Sequence, residues 1–223
     1  MDIIKNIPIC DMELIKRLSI CTTATVHEAL GKIGALDGAI RPLDRSMKLC
    51  GRAVTVSCHS ADNLMLIKAV SIAGSGDVIV LDAGDCLNAG SFGEVLAVEC
   101  QANAIAGLVT SGSVRDTEAI IRRGFPVFSR GISIQGTAKA STGTINHPIS
   151  IGGRIVCPGD YVLGDSDGIV IVPHDRIDEA IMASAEREEK EKKVMERLMN
   201  GEHLFDIYGY QNILDQIGCL EEK

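Results

Sequence analysis

Tryptophan is absent from the 223 residues, and aromatic side chains make up only 3% of them. Base-stacking platforms and aromatic ligand cages therefore have almost nothing to be built from. Positive charge is also short: 22 Lys and Arg stand against 30 Asp and Glu, a formal net charge of −8. That is the wrong sign for nonspecific nucleic-acid binding, which runs on phosphate neutralisation. No apolar run reaches the roughly 18 residues needed to cross a bilayer. The N-terminal MDIIKNIPIC has neither the basic flank nor the apolar length of a signal peptide. The eight cysteines form no CxxC pair and the five histidines show no HxxxH spacing, which argues against disulfides and zinc. A cytoplasmic protein that handles a small molecule, with no nucleic-acid or membrane partner, is expected.

What is present points to one globular domain. Hydrophobic residues make up 46%, charged residues 23%, and the mean hydropathy is +0.18. A chain of this length buries about 70% of its unfolded surface and needs no covalent staples. Cys58 in AVTVSC and Cys157 in RIVCPG read as small buried hydrophobes.

Thr25-Val-His-Glu28 is a capping-box pattern for a short helix that Gly31 and Gly34 weaken and end. A strand is expected over 52–58, a helix over 62–73, and a strand buried on both faces over 77–82. The glycine-rich stretch 83–93 leads to a helix over 94–103, then a strand over 104–110 and a Ser-Gly-Ser turn. A helix over 117–123 and a short strand over 126–129 follow. This β-α-β-α-β order implies a mostly parallel sheet with helices outside it. Beyond Gly131, short β-like segments alternate with turns as far as Pro173. From His174 to about Asn200 the chain is helical and heavily charged, with acid-first i,i+4 pairs Glu186/Lys190, Glu188/Lys192 and Glu189/Lys193. An α/β domain over 1–173 with a helical extension over 174–223 is the expected organisation.

The chemistry is concentrated around Gly93-Glu-Val-Leu96 and Arg115-Asp116. Gly90 and Gly93 free the backbone just before a helix start, where unpaired N–H groups favour anions. Arg115 and Asp116 follow the end of a strand, and ligands of open α/β sheets collect at carboxyl ends of strands. The spacing alone is also met by an ordinary capping Asp.

Five ordered motifs sharpen this: G-E-V-L (93–96), G-S-V-R-D (112–116), P-V-F-S-R-G (126–131), I-G-G-R-I-V-C-P-G-D (151–160) and D-S-D-G-I-V-I-V-P (165–173). With 36–43, 51–56 and Asp62-Asn63-Leu64, they make the chain resemble the RraA-like family from about residue 20 to the C-terminal helix. That family holds 4-hydroxy-4-methyl-2-oxoglutarate aldolases, also active as oxaloacetate decarboxylases, and the regulator of ribonuclease activity A. The resemblance implies an α/β/α sandwich of swivelling-domain type, forming ring-shaped homotrimers, sometimes stacked into hexamers. It also implies a metal-dependent (class II) pyruvate aldolase whose substrate is a small 2-oxo acid. By position, Asp116 is the carboxylate ligand of Mg²⁺ or Mn²⁺ and Arg115 contacts the pyruvoyl group. The backbone of Gly93, Glu94, Val95 and Leu96 holds the substrate carboxylate. Glu94 is implied to orient a water on the metal. A further acid comes from a neighbouring subunit's C-terminal helix, with Glu191 the best match and Glu188 and Glu189 as alternatives.

Other features read as structural. Asp165-Ser-Asp-Gly168 starts like a calcium loop but lacks the later ligands, so a turn is expected. His27 and His59 read as packing or surface residues, and Lys68 as a snorkelling helix lysine rather than a Schiff-base lysine. Val78–Gly84 superficially resembles the first motif of S-adenosylmethionine methyltransferases, but Asp85 and Cys86 after Gly84 break its G-x-G core. The remaining alternatives to an aldolase are a non-catalytic ribonuclease regulator and a metal-dependent lyase on another 2-oxo acid. Regulator-type members stop near the equivalent of Pro173.

Overall fold

The computed structural model describes residues 2–84 and 86–219, so Asp85 lies outside it. In chain order the first elements are α1 (Met12–Leu18), α2 (Thr23–Ala29), β1 (Arg41–Pro42), β2 (Leu49–Ser57), α3 (Leu64–Val70) and β3 (Asp77–Asp82). The middle follows with β4 (Gly90–Phe92), α4 (Glu94–Ala102), β5 (Gly107–Val114), α5 (Thr117–Arg123), β6 (Val127–Ile132) and β7 (Thr144–Ile145). The last third holds β8 (Ile149–Ile151), β9 (Arg154–Val156), β10 (Tyr161–Asp165) and β11 (Gly168–Val172). It ends in α6 (Ile177–Met199), α7 (Leu204–Ile207) and α8 (Gln211–Ile217).

The strands order β1-β6-β5-β3-β2-β10-β11, with β4 on β5 and β7 on β2. The β3-α4-β5-α5-β6 run makes the expected parallel neighbours, with Val78 opposite Gly107 and Leu108 opposite Val127. β10 and β11 extend the sheet antiparallel. Alternation along the strands creates two apolar faces. Val54, Ile79, Leu81 and Leu108 pack under Leu66 of α3, Ala97 of α4 and Ile120 of α5. Ala53, Val78, Val80 and Val109 face the other way, onto the β8–β9 hairpin and Leu36, Ile40 and Met47. A third cluster joins Leu18, Val26 and Ile181 to Tyr161, Leu163 and Val170, fixing α1, α2 and α6 over the β10–β11 end.

The charged helix α6 is therefore not wholly a solvated arm. Ile177, Ala180, Ile181 and Ser184 are buried at i, i+3, i+4 and i+7 spacing, so its first two turns belong to the core. Of the expected acid-first pairs, Glu189–Lys193 closes at 3.8 Å. No described helix is long and apolar enough to cross a membrane.

Three local expectations are corrected. Thr22, not Thr25, caps α2, accepting the Thr25 N–H at 3.2 Å. Ser111-Gly112-Ser113 is strand rather than turn, because β5 pairs again with β6 and β4 at Ser113 and Val114, past an irregularity after Thr110. The Ser113 hydroxyl donates to Leu87 O at 2.8 Å, so its burial costs no lost partner. Cys157 is exposed rather than buried, and all eight cysteines are free. Asp165–Gly168 is a turn, its carboxylate accepting from the Thr23 amide at 2.9 Å and the Thr23 hydroxyl at 2.7 Å.

Candidate active site

β4 runs directly into α4 through Gly93, while the end of β5 delivers Arg115 and Asp116 alongside. Asp116 has φ +56, a left-handed backbone that costs a non-glycine residue about 1–2 kcal/mol. It occupies the N-cap position of α5, yet its side chain makes no capping bond there. The carboxylate instead accepts the Glu94 N–H of α4 at 3.1 Å, and Arg115 Nε lies 3.6 Å from the same oxygen. Arg115 is anchored by its own N–H donating to Phe92 O at 2.9 Å. A Cβ on Gly93 would collide with Asp116 Oδ2 and come within 3.1 Å of Arg115 Cγ. This glycine is needed for close approach, since its φ of −145° suits any residue.

The first i→i−4 bond of α4 runs from Ala97 N–H to Gly93 O. The amides of Val95 and Leu96 thus have no carbonyl partner within the helix, and both residues line the cavity beside Arg115 and Asp116. Gly93, Val95, Leu96, Arg115 and Asp116 line one cavity of about 500 Å³. Clefts of about 770 Å³ beside Arg41 and Arg45, and about 570 Å³ beside Asp82 and Arg130, are larger. Only the first combines a helix N-terminus with an arginine and a carboxylate at a strand end.

Two expected residues stand elsewhere. The Glu94 carboxylate accepts from Arg123 at 2.8 Å, bracing α4 against α5, and Glu94 is not in the cavity wall. Glu191 is half-buried on the same stripe of α6 as Ser184 and pairs with Arg187 at 2.8 Å; it too is absent from the wall within one chain.

The wall also holds residues to which the sequence assigned no role in the site. Asn63 is buried, donates from Nδ2 to Ser91 O at 2.8 Å, and has an Oδ1 with no hydrogen-bond partner. Lys139 and Thr137 enter from a strap, residues 133–141, that leaves β6 and turns back over α3 and β4. Gly90 N–H donates to Gln135 O at 2.9 Å, and Ala138 N–H to Ala61 O at 2.8 Å. Asp62 accepts the amides of Ala140 and Ser141 at 2.7 and 2.9 Å. Those backbone donors, the Ala140 N–H foremost, hold the Asp62 carboxyl below its ordinary range. Asp62-Asn63 was visible as a motif, whereas nothing periodic marked Lys139.

No group of three or more His, Cys, Asp or Glu side chains gathers as a metal cage among the described residues. One carboxylate beside open cavity space matches a hard cation that keeps most of its waters, and not a closed Cys/His site.

Comparison with known proteins places the chain in a family. A family profile described as RraA-like, Aldolase/RraA, matches residues 23–171, which include the glycine loop, Arg115-Asp116 and the strap. A protein of Halalkalibacterium halodurans, named "Putative 4-hydroxy-4-methyl-2-oxoglutarate aldolase", is 35% identical over 191 residues, covering 85% of this chain and 90% of that one. The solved structure of an uncharacterised Pseudomonas syringae protein superposes with a TM-score of 0.80 at 26% identity, over 89% of this chain and 93% of the other. Streptomyces coelicolor RraAS2, described as an unusual member of the RNase ES inhibitor RraA family, gives 0.77 at 25% identity, over 85% and 98%. The chain belongs to the RraA-like family.

Proposed function

We propose that the chain is a divalent-metal-dependent carbon–carbon lyase. It cleaves 4-hydroxy-4-methyl-2-oxoglutarate or a related 4-hydroxy-2-oxo acid to pyruvate and a second oxo acid, and decarboxylates oxaloacetate through the same pyruvate enolate. The observation that carries this reading is the placement of Arg115 and the strained Asp116, 3.6 Å apart, beside the free amides at the start of α4. The relative's aldolase name supports it.

The amides of Val95 and Leu96, at the positive end of α4, bind the substrate carboxylate. Asp116 would hold Mg²⁺ or Mn²⁺, which when bound polarises the 2-keto group as a Lewis acid. Arg115 places a permanent positive charge where the enolate oxygen develops and cannot lose its proton. Lys139 adds a second cation to the same wall, which suits a dianionic substrate whose cleavage moves negative charge onto the enolate oxygen. Gly93 keeps Arg115 and Asp116 against the helix start. Glu94 helps move the C4-hydroxyl proton by orienting the water that takes it, and that role requires its pair with Arg123 to open. Decarboxylation needs the enolate but no hydroxyl base. Residues 1–173 carry this chemistry, and the 174–223 extension brings Glu191, or Glu188 or Glu189, to a neighbouring subunit's site in a homotrimer or hexamer.

The test is pyruvate release from 4-hydroxy-4-methyl-2-oxoglutarate with Mg²⁺ and with EDTA. The reading expects two pyruvates per substrate with the metal and none with the chelator. A folded, metal-supplied chain that releases none, but inhibits a ribonuclease, would favour the regulator reading suggested by the likeness to RraAS2.

A further inference from the structure

We propose that Asp62 is a positioning residue whose carboxylate fastens the strap over the cavity and so sets where Lys139 stands. The proposal rests on the reading of Lys139 as a cation of the active site.

The two oxygens of Asp62 divide their work. Oδ1 accepts the Leu64 N–H at 2.9 Å, at the start of α3. Oδ2 accepts the Ala140 and Ser141 amides at 2.7 and 2.9 Å, on the strap. The residue is 4% exposed, so these bonds form away from competing water. Lys139 lies between two pinned neighbours. Ala138 is held by an isolated bridge to Asp62, with Asn63 N–H on Ala138 O at 3.2 Å and Ala138 N–H on Ala61 O at 2.8 Å. Ala140 is held by the carboxylate itself.

Burial cannot replace these bonds. From Thr137 to Gly143, the end of the strap and the two residues after it, the chain reads TAKASTG, with no apolar side chain larger than alanine. It joins no helix and no named strand over that stretch. With so little apolar area to remove from water, its position depends on hydrogen bonds, and charge-assisted bonds are the stronger kind. A helix-capping role for Asp62 alone would need only Oδ1; Oδ2 is given wholly to the strap.

Asp62→Asn separates the two roles. An amide oxygen still serves Leu64, while the NH₂ group then opposes two N–H donors of the strap. Hydrogen exchange should quicken at Ala140 and Ser141 and stay unchanged at Ala69 and Val70 of α3. With Mg²⁺ and oxaloacetate, kcat/KM should fall on the order of 100-fold, the scale of a misplaced binding group. Lys139→Met should fall comparably, and the double variant should be no worse than Lys139→Met alone. Ala140→Pro removes one strap donor, leaves the Leu64 bond intact, and should quicken exchange at Ser141, the strap amide that remains, if Asp62→Asn does not fold. Losses that multiply in the double variant, or exchange unchanged at Ala140 and Ser141, would overturn the proposal. A wild-type chain without turnover would overturn the lyase reading, and the exchange measurement would still decide whether Asp62 fastens the strap.

Discussion

Gly93→Ala separates function from stability more cleanly than removal of a charged group. Alanine is unstrained at φ −145°, ψ −172°, and restricting the unfolded chain stabilises by about 0.4–1 kcal/mol. The new methyl group collides with Asp116 Oδ2 and crowds Arg115 Cγ and Nε at 3.1 and 3.2 Å. Both side chains are nearly half exposed and can yield, so the crowding costs about 1 kcal/mol, the low end of overpacking. The two effects nearly cancel, and Tm should move by no more than about 4 °C. Function has no such compensation. Ordinary contact requires Asp116 Oδ2 to retreat by about 1 Å, a displacement that costs on the order of 100-fold in rate. Calorimetry paired with Mg²⁺-dependent pyruvate release reads both quantities on one sample. A stable Gly93→Ala variant within about threefold of wild-type activity would refute the claim that close approach at this glycine sets the site.

The remaining predictions concern the frame of the site. Arg52 pairs with Asp77 at 2.7 Å, and Asp77 is 2% exposed; Arg52→Met leaves that carboxylate buried and should cost about 3–5 kcal/mol in urea unfolding. At Asp165, burial pushes the carboxyl up, but hydrogen bonds from Thr23 and Asp167 outweigh it and leave the folded pKa below the ordinary value. Its stabilisation is present above the unfolded-state pKa and lost as pH falls through the lower folded one. The stability gap between wild type and Asp165→Asn should therefore narrow below about pH 4. Arg123→Met frees the Glu94 carboxylate; if Glu94 moves the C4-hydroxyl proton, aldol cleavage should rise or hold while oxaloacetate decarboxylation is unchanged. A matched loss of both reactions would mean that the pair is purely a brace.

The sequence reveals the frame better than the contacts within it. The apolar run of β3 and the alternation of β2 mark buried strands because burial on two faces, or one, leaves a period in the residues. Arg115-Asp116 was legible because strand ends in parallel sheets are where ligands gather. The pairing of Glu94 with Arg123 was not, since it depends on how α4 and α5 lie side by side, 29 residues apart in sequence. Lys139 and the double duty of Asp62 were hidden for the same reason: the strap has no periodicity, and its place is set by backbone amides. The burial of Ile177, Ala180 and Ile181 was obscured by the charge around them. Deletion after Pro173 would consequently strip core residues as well as any acid offered to a neighbour.

The central claim, that Asp116 and a divalent cation make one lyase site with Arg115, meets its most direct test in oxaloacetate decarboxylation. Pyruvate formation by wild type and Asp116→Ala should be compared in Mg²⁺ and in EDTA, above the rate of the metal alone. The account predicts metal-dependent turnover by wild type that falls to background in Asp116→Ala, with both chains melting at similar temperatures. Turnover that survives in Asp116→Ala, or that is indifferent to EDTA, would contradict it.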